Sequence, residues 1–176
     1  MDAGVDAGPS ARGDVGAPDA GSDADAGPAR DAGGMEVDAG WPVLLGADTC
    51  GDAPEVTAGG TFLGTTASMQ DDYGFGLGAG CPAGGTASGR DVAYRLSPTS
   101  TTQYRVTVRP LRAQFDPMLY VQGTCGAESC LAGTVRTGPG APESLSFGVP
   151  GGQTVYLIVD GELTSSGPYE LEVLAR

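Results

Sequence analysis

The chain has 176 residues with no histidine, lysine or asparagine, and its nine basic residues are all arginine against 22 acidic ones, for a net charge of −13. Without histidine it lacks the commonest general base, metal ligand and near-neutral titrating group, so Ser-His-Asp and Cys-His nucleophile systems are excluded; without lysine, so are Schiff-base chemistry and P-loop phosphate binding. The negative charge argues against nucleic acid and anionic lipid as partners and favours solubility.

The first element in chain order is a tail. Of residues 1–40, 30 are Asp, Ala, Gly or Pro, none is aromatic, and nine acids against two arginines give −7. Asp-Ala-Gly starts at Asp2, Asp6, Asp19, Asp25, Asp31 and Asp38 without a fixed period, which excludes a solenoid or collagen. A stretch with so little apolar area cannot offset chain entropy, so 1–40 reads as a disordered, self-repelling acidic spacer. Its deletion is expected to leave the melting temperature of 41–176 unchanged; a drop of several degrees would show that it docks. Arg12-Gly13-Asp14 matches an integrin-binding tripeptide, but chance produces it readily in this composition. Asp23-Ala24-Asp25 begins like a calcium loop but has Gly27 and Gly34 at loop positions five and twelve, where ligands belong.

Residues 41–176 hold all 11 aromatics and all four cysteines, and their apolar residues recur with period two. Strands are expected at 61–66, 90–96, 103–109, 117–122, 130–136, 143–149, 153–160 and 167–174. In 103–109, Tyr104, Val106 and Val108 share one face, with Gln103, Arg105, Thr107 and Arg109 opposite. The apolar run Val155 to Val159 fits a strand buried on both faces. Gly-Pro, Pro-Gly-Gly and Ser-Gly-Pro breakers separate these segments. Eight short strands at this spacing predict an all-β, antiparallel two-sheet sandwich of jelly-roll type, and a monomer is expected. No stretch approaches a membrane span, and no signal segment follows Met1.

Five pieces in order resemble the bacterial pre-peptidase C-terminal domain, in the divergent form common in myxobacterial secreted proteins and lipoproteins. They are Gly89-Arg90-Asp91-Val92-Ala93-Tyr94-Arg95-Leu96, Tyr104-Arg105-Val106-Thr107-Val108, Phe115-Asp116-Pro117-Met118-Leu119-Tyr120-Val121, Thr154-Val155-Tyr156-Leu157-Ile158-Val159-Asp160-Gly161 and Gly167-Pro168-Tyr169-Glu170-Leu171-Glu172-Val173. The resemblance spans about 48–176. It implies a jelly-roll-like sandwich, exported to the cell surface, periplasm or medium, without catalysis, that binds matrix, polysaccharide or a parent enzyme; related collagen-binding domains hold calcium. Neither a peptidase nor the acidic linker of those relatives accompanies it here, and the tail, which resembles a lipoprotein spacer, has no lipobox cysteine.

The cysteines fit two disulfides better than zinc, which wants tighter spacings, and disulfides indicate an oxidising compartment. Sequence-local pairing predicts Cys50–Cys81 and Cys125–Cys130, each closing a loop short of apolar area. The glycine-rich run 74–80 carries Tyr73 and Phe75 beside it; the rings form either a recognition surface or a cover for the sandwich edge. Asp71, Asp72, Asp91, Asp116 and Asp160 are the acids a carboxylate hydrolase would need, and most of them sit where aspartate caps turns. If a cation binds, calcium on Asp91, Asp116 or Asp160 is expected, since hard oxygen ligands suit it. Three readings follow: an exported non-catalytic accessory or binding domain on a flexible spacer, a structural surface lipoprotein without a ligand, or a small carboxylate-dependent hydrolase.

Overall fold

In a computed structural model of the protein, residues 43–78 and 80–176 are described; the tail of 1–40, with the disorder expected of it, lies outside them. The period-two segments form eight strands: β1 (Gly60–Thr65), β2 (Val92–Leu96), β3 (Thr102–Pro110), β4 (Pro117–Gln122), β5 (Ala132–Thr134), β6 (Glu143–Val149), β7 (Val155–Gly161) and β8 (Pro168–Ala175). Each coincides with an expected strand, with ends agreeing within two residues.

One sheet has the order β1-β8-β3-β6 and the other β2-β7-β4-β5, with every pair antiparallel. The pairs β1–β8, β2–β7, β3–β6 and β4–β5 nest one inside the next. The chain is thus a long hairpin closing at β4–β5 and rolled so that successive pairs fall in alternate sheets, which is a jelly roll. The incoming segment crosses between the sheets at one side: Val43 bridges to Leu63 of β1, Ala47 to Ala93 and Glu55 to Arg95 of β2. That covers two edges that would otherwise offer unpaired backbone.

Between the sheets lies an apolar core. It takes Val92, Tyr94 and Leu96 from β2, Leu119 and Val121 from β4, and Val155, Leu157 and Val159 from β7. Against them pack Tyr104, Val106 and Val108 of β3, Leu145, Phe147 and Val149 of β6, and Tyr169, Leu171 and Val173 of β8. Tyr94 and Tyr169 reach toward each other from opposite sheets and their hydroxyls meet at 2.8 Å; Gly64 makes room, since a Cβ there would lie 2.7 Å from the Tyr169 ring. Burial pushes the Tyr94 phenol up to about 12. Tyr169→Phe leaves the Tyr94 hydroxyl only the Leu44 carbonyl, at 3.3 Å. Its expected cost in chemical denaturation is about 1–2 kcal/mol.

A second cluster lies on the outer face of the β2-β7-β4 sheet. Ala93, Met118, Tyr120 and Ile158 point outward there and are covered by Cys50, Ala53, Tyr73 and Cys130, with Phe75, Cys81 and Ala87 at the margin. This cover makes β4 and β7 apolar on both faces. Among the described residues the one helical piece is a 3-10 turn at Cys50–Asp52, and no helix is long and apolar enough to cross a membrane. Far-UV circular dichroism is therefore expected to lack helical minima; strong ones would contradict the strand assignment.

Candidate functional site

The β1–β2 connection, residues 66–91, does not stay at the end of the sandwich. It climbs the outer face of the second sheet and meets the β4–β5 loop. Gly80 lies against Cys130, where a Cβ would be 2.3 Å from the Cys130 carbonyl oxygen, and its φ of +90° suits glycine. The β4–β5 loop is organised from inside by Gln122, which is fully buried. Its amide donates to the Gly74 and Ala127 carbonyls and its oxygen accepts from the Gly126 N–H.

This geometry corrects the expected disulfides. The bridges are Cys50–Cys125, with Cα atoms 6.0 Å apart, and Cys81–Cys130, with Cα atoms 4.8 Å apart. Local pairing presumed that each loop lacked order of its own. Gln122 already holds the 123–129 turn, so Cys125 and Cys130 are free to reach two different segments. One bridge ties down the incoming segment and the other ties down the β1–β2 connection, both to the same loop.

Tyr73 and Phe75 cover the sheet and do not form an open surface. Tyr73 is 7% exposed, and its hydroxyl accepts the Cys50 N–H at 2.6 Å. Phe75 packs edge-on against Tyr120, with ring centroids 5.0 Å apart. No aromatic residue is exposed among the described ones, so no ring platform for stacking on sugars is present there.

Asp91, Asp116 and Asp160 fall at one end of the sandwich but do not come together. In the β2–β7 ladder Val92 pairs with Val159, so Asp91 and Asp160 follow as the next opposed positions, on the outer face. Both are fully buried. Asp91 Oδ2 accepts the N–H groups of Asp72 and Tyr73 at 3.0 and 2.9 Å, and Asp160 Oδ2 accepts the Tyr120 hydroxyl at 3.0 Å. The second oxygen of each, Oδ1, is buried without a partner. Burial foremost raises Asp91 to about 7, with Asp71 and Asp72 adding to it and the two amides opposing. Burial foremost, then the charge of Asp91, raises Asp160 to about 8, against the Tyr120 hydroxyl and the Gly161 N–H. Tyr120 is pushed well above its ordinary value by burial and by Asp160.

Asp116 lies apart, before β4. Its carboxyl is raised by burial and by Glu162 and Glu143, and its Oδ1 is also unpartnered. Calcium takes six to eight oxygens. Among the described residues no three His, Cys, Asp or Glu gather as a metal-ligand group. The structure gives a facing pair and a separate acid.

Two shallow clefts open nearby. One, of about 400 Å³, is lined by Met69, Gln70, Asp71, Ser88, Gly89, Arg90 and Thr164. The other, of about 340 Å³, includes Asp116, Glu162 and Leu163. The facing acids line neither. Glu162 is engaged by the Thr86 N–H, which both its oxygens accept at 3.0 and 3.1 Å. The Asp72 backbone N–H donates to Asp91. Paired acids over an accessible bond, which a glycosidase needs, are not formed by these residues.

The opposite face is open. On the β1-β8-β3-β6 sheet, Gln103 and Arg105 of β3 and Ser144 and Ser146 of β6 stand exposed. Arg109 bridges Glu170 and Glu172 at 2.8 Å each.

The described residues form an eight-stranded jelly roll whose second sheet carries a disulfide-clamped cover. No family model matches the chain, and no curated protein matches it. Among solved structures it is similar to the pre-peptidase C-terminal domain of collagenase from Bacillus anthracis, with 14% identity and a TM-score of 0.43 over 76% of this chain and 97% of that chain.

Proposed function

We propose that residues 43–176 form an exported, non-catalytic accessory domain that binds a protein partner through the open face of the β1-β8-β3-β6 sheet. The observation that carries this reading is the pair of disulfides joining three separate loops into one clamp. Such bridges persist in oxidising compartments outside the cytosol. On the face left open Arg105 is exposed, opposite Ser146 of β6 and Leu174 of β8. Without exposed aromatics among the described residues, a protein surface suits it better than a polysaccharide. The buried position of Asp91 and Asp160 supports the non-catalytic reading.

Non-reducing peptide mapping of protein recovered from its native host tests export: intact Cys50–Cys125 and Cys81–Cys130 peptides are expected, and four free thiols would sink the reading. Surface-binding measurements on purified matrix proteins and a glycan array test the partner class. Saturable, salt-sensitive binding to protein that Arg105→Glu abolishes is expected. Glycan binding that Arg105→Glu leaves intact would overturn the proposed face, and binding to neither class would favour a purely structural role.

A further inference from the structure

We propose that Asp91 and Asp160 share a single proton between their unpartnered oxygens, and that this proton holds the 66–91 connection down on the outer face of the second sheet. The geometry points to such an arrangement. Two acids take the opposed positions one step beyond the last pair of the β2–β7 ladder, Val92 and Val159, on the same face, and both are fully buried. Like charges so placed repel, and burial removes the water that would screen them. Each carboxyl has one satisfied oxygen and one orphan. One proton answers both orphans at once: the protonated acid donates and its neighbour accepts, as in a carboxylate pair holding one charge.

The groups facing the pair offer no countercharge. From β4 comes the Tyr120 phenol, which already donates to Asp160. From the connection come Asp71 and Asp72, both of which raise Asp91, and Tyr73, whose hydroxyl is turned to the Cys50 N–H. From the incoming segment, Asp48 accepts the Gln70 N–H at 2.7 Å. The nearby Arg90 guanidinium donates to the Ala67 carbonyl. In the β7–β8 turn Glu162 is held by Thr86.

When the shared proton leaves to solvent, two buried charges are left facing one another. β2 and β7 are fixed by their ladder. The connection is the looser partner: near the pair it is held by the Asp72 and Tyr73 amides, the Asp91 N–H to the Gln70 carbonyl and the Gln70 N–H to Asp48. Lifting it admits water to the acids. Folding raises both carboxyls above their unfolded values, so the folded state binds extra protons. Stability is then fully present below about pH 4 and falls as pH rises through about 8. With no histidine, no lysine and no free cysteine, few other side chains titrate between about pH 6 and 9.

The full, oxidised chain is melted across that range. The melting temperature is expected to be about 10 °C lower at the upper end than at the lower. In Asp160→Asn the new amide donates to Asp91, so the slope should flatten and the variant should melt above wild type at high pH. Amide exchange at Asp72 and Tyr73 should quicken with pH beyond base catalysis alone, while that of Val106 does not. Infrared spectra give a readout that needs no variant: the C=O stretch of a protonated carboxylic acid should persist at about pH 6 and vanish by about pH 9. A flat wild-type profile, a variant that keeps the slope, or an absent infrared band would each overturn the proposal. So would calcium chloride that stabilises wild type but not Asp160→Asn at alkaline pH, which would assign the pair to a cation.

Discussion

Replacing Cys50 and Cys125 together by serine should lower stability by about 4 kcal/mol and the melting temperature by roughly 15 °C. The bridge closes 75 residues, and in the chain-entropy account the penalty grows with the logarithm of loop length. The Cys81–Cys130 bridge closes 49 and should be worth nearly as much. The two loops interleave in sequence, so each bridge, removed while the other is intact, frees a chain already shortened, and losing both should cost more than the sum of the two single losses. Local consequences differ as well. Without Cys50–Cys125 the 3-10 turn loses its anchor, and with it the Cys50 N–H that holds the Tyr73 hydroxyl. Near-UV dichroism from Tyr73 and Tyr120 should weaken before the sandwich core melts. Urea titration of oxidised wild type and the double variant measures the difference; a loss under about 1 kcal/mol would show that Gln122 and the apolar contacts hold the cover unaided.

The strands were legible because alternation is a local property. Glu143 to Val149 alternates in sequence and in burial alike, residue by residue. The run Val155 to Val159 announced burial on both faces, but nothing in it said what lay on the outer side. That answer comes from residues 47–53, 70–81 and 123–130, whose glycines and polar residues carry no period. The same gap misled the disulfides: proximity in sequence was a poor guide once a 26-residue connection crossed a sheet face. The opposed acids needed the ladder register, which fixes Asp91 against Asp160 and leaves Asp116 out. Arg105 was placed on the polar face of its strand by alternation alone, whereas the openness of that face depends on which sheet is covered. Alternation puts Tyr94 and Tyr169 on the apolar faces of their strands, yet their meeting across the core depends on both sheets being in place.

Glu143→Ala should destabilise the domain by about 4 kcal/mol, although sequence alone gave this residue no role. It opens β6 and is 2% exposed, a rare place for a carboxylate. Its burial is matched by donors. Oε2 accepts the Thr134 hydroxyl, and Oε1 accepts the Arg136 N–H, the Thr137 N–H and the Thr137 hydroxyl. Those donors belong to the end of β5 and to the turn that follows, so one side chain ties the edge of the second sheet to the edge strand of the first. Alanine leaves two backbone N–H groups of a part-buried turn without their acceptor, each costing about 1–3 kcal/mol, while the hydroxyls can rotate to other acceptors. Glu143→Gln keeps one oxygen but turns an amide donor toward groups that are themselves donors, so it should rescue less than half the loss. Thermal and urea denaturation of the two variants decide the matter. If both melt with wild type, water reaches the turn and the β5–β6 junction is held by packing alone; if glutamine restores full stability, the negative charge is dispensable and shape is what the site requires.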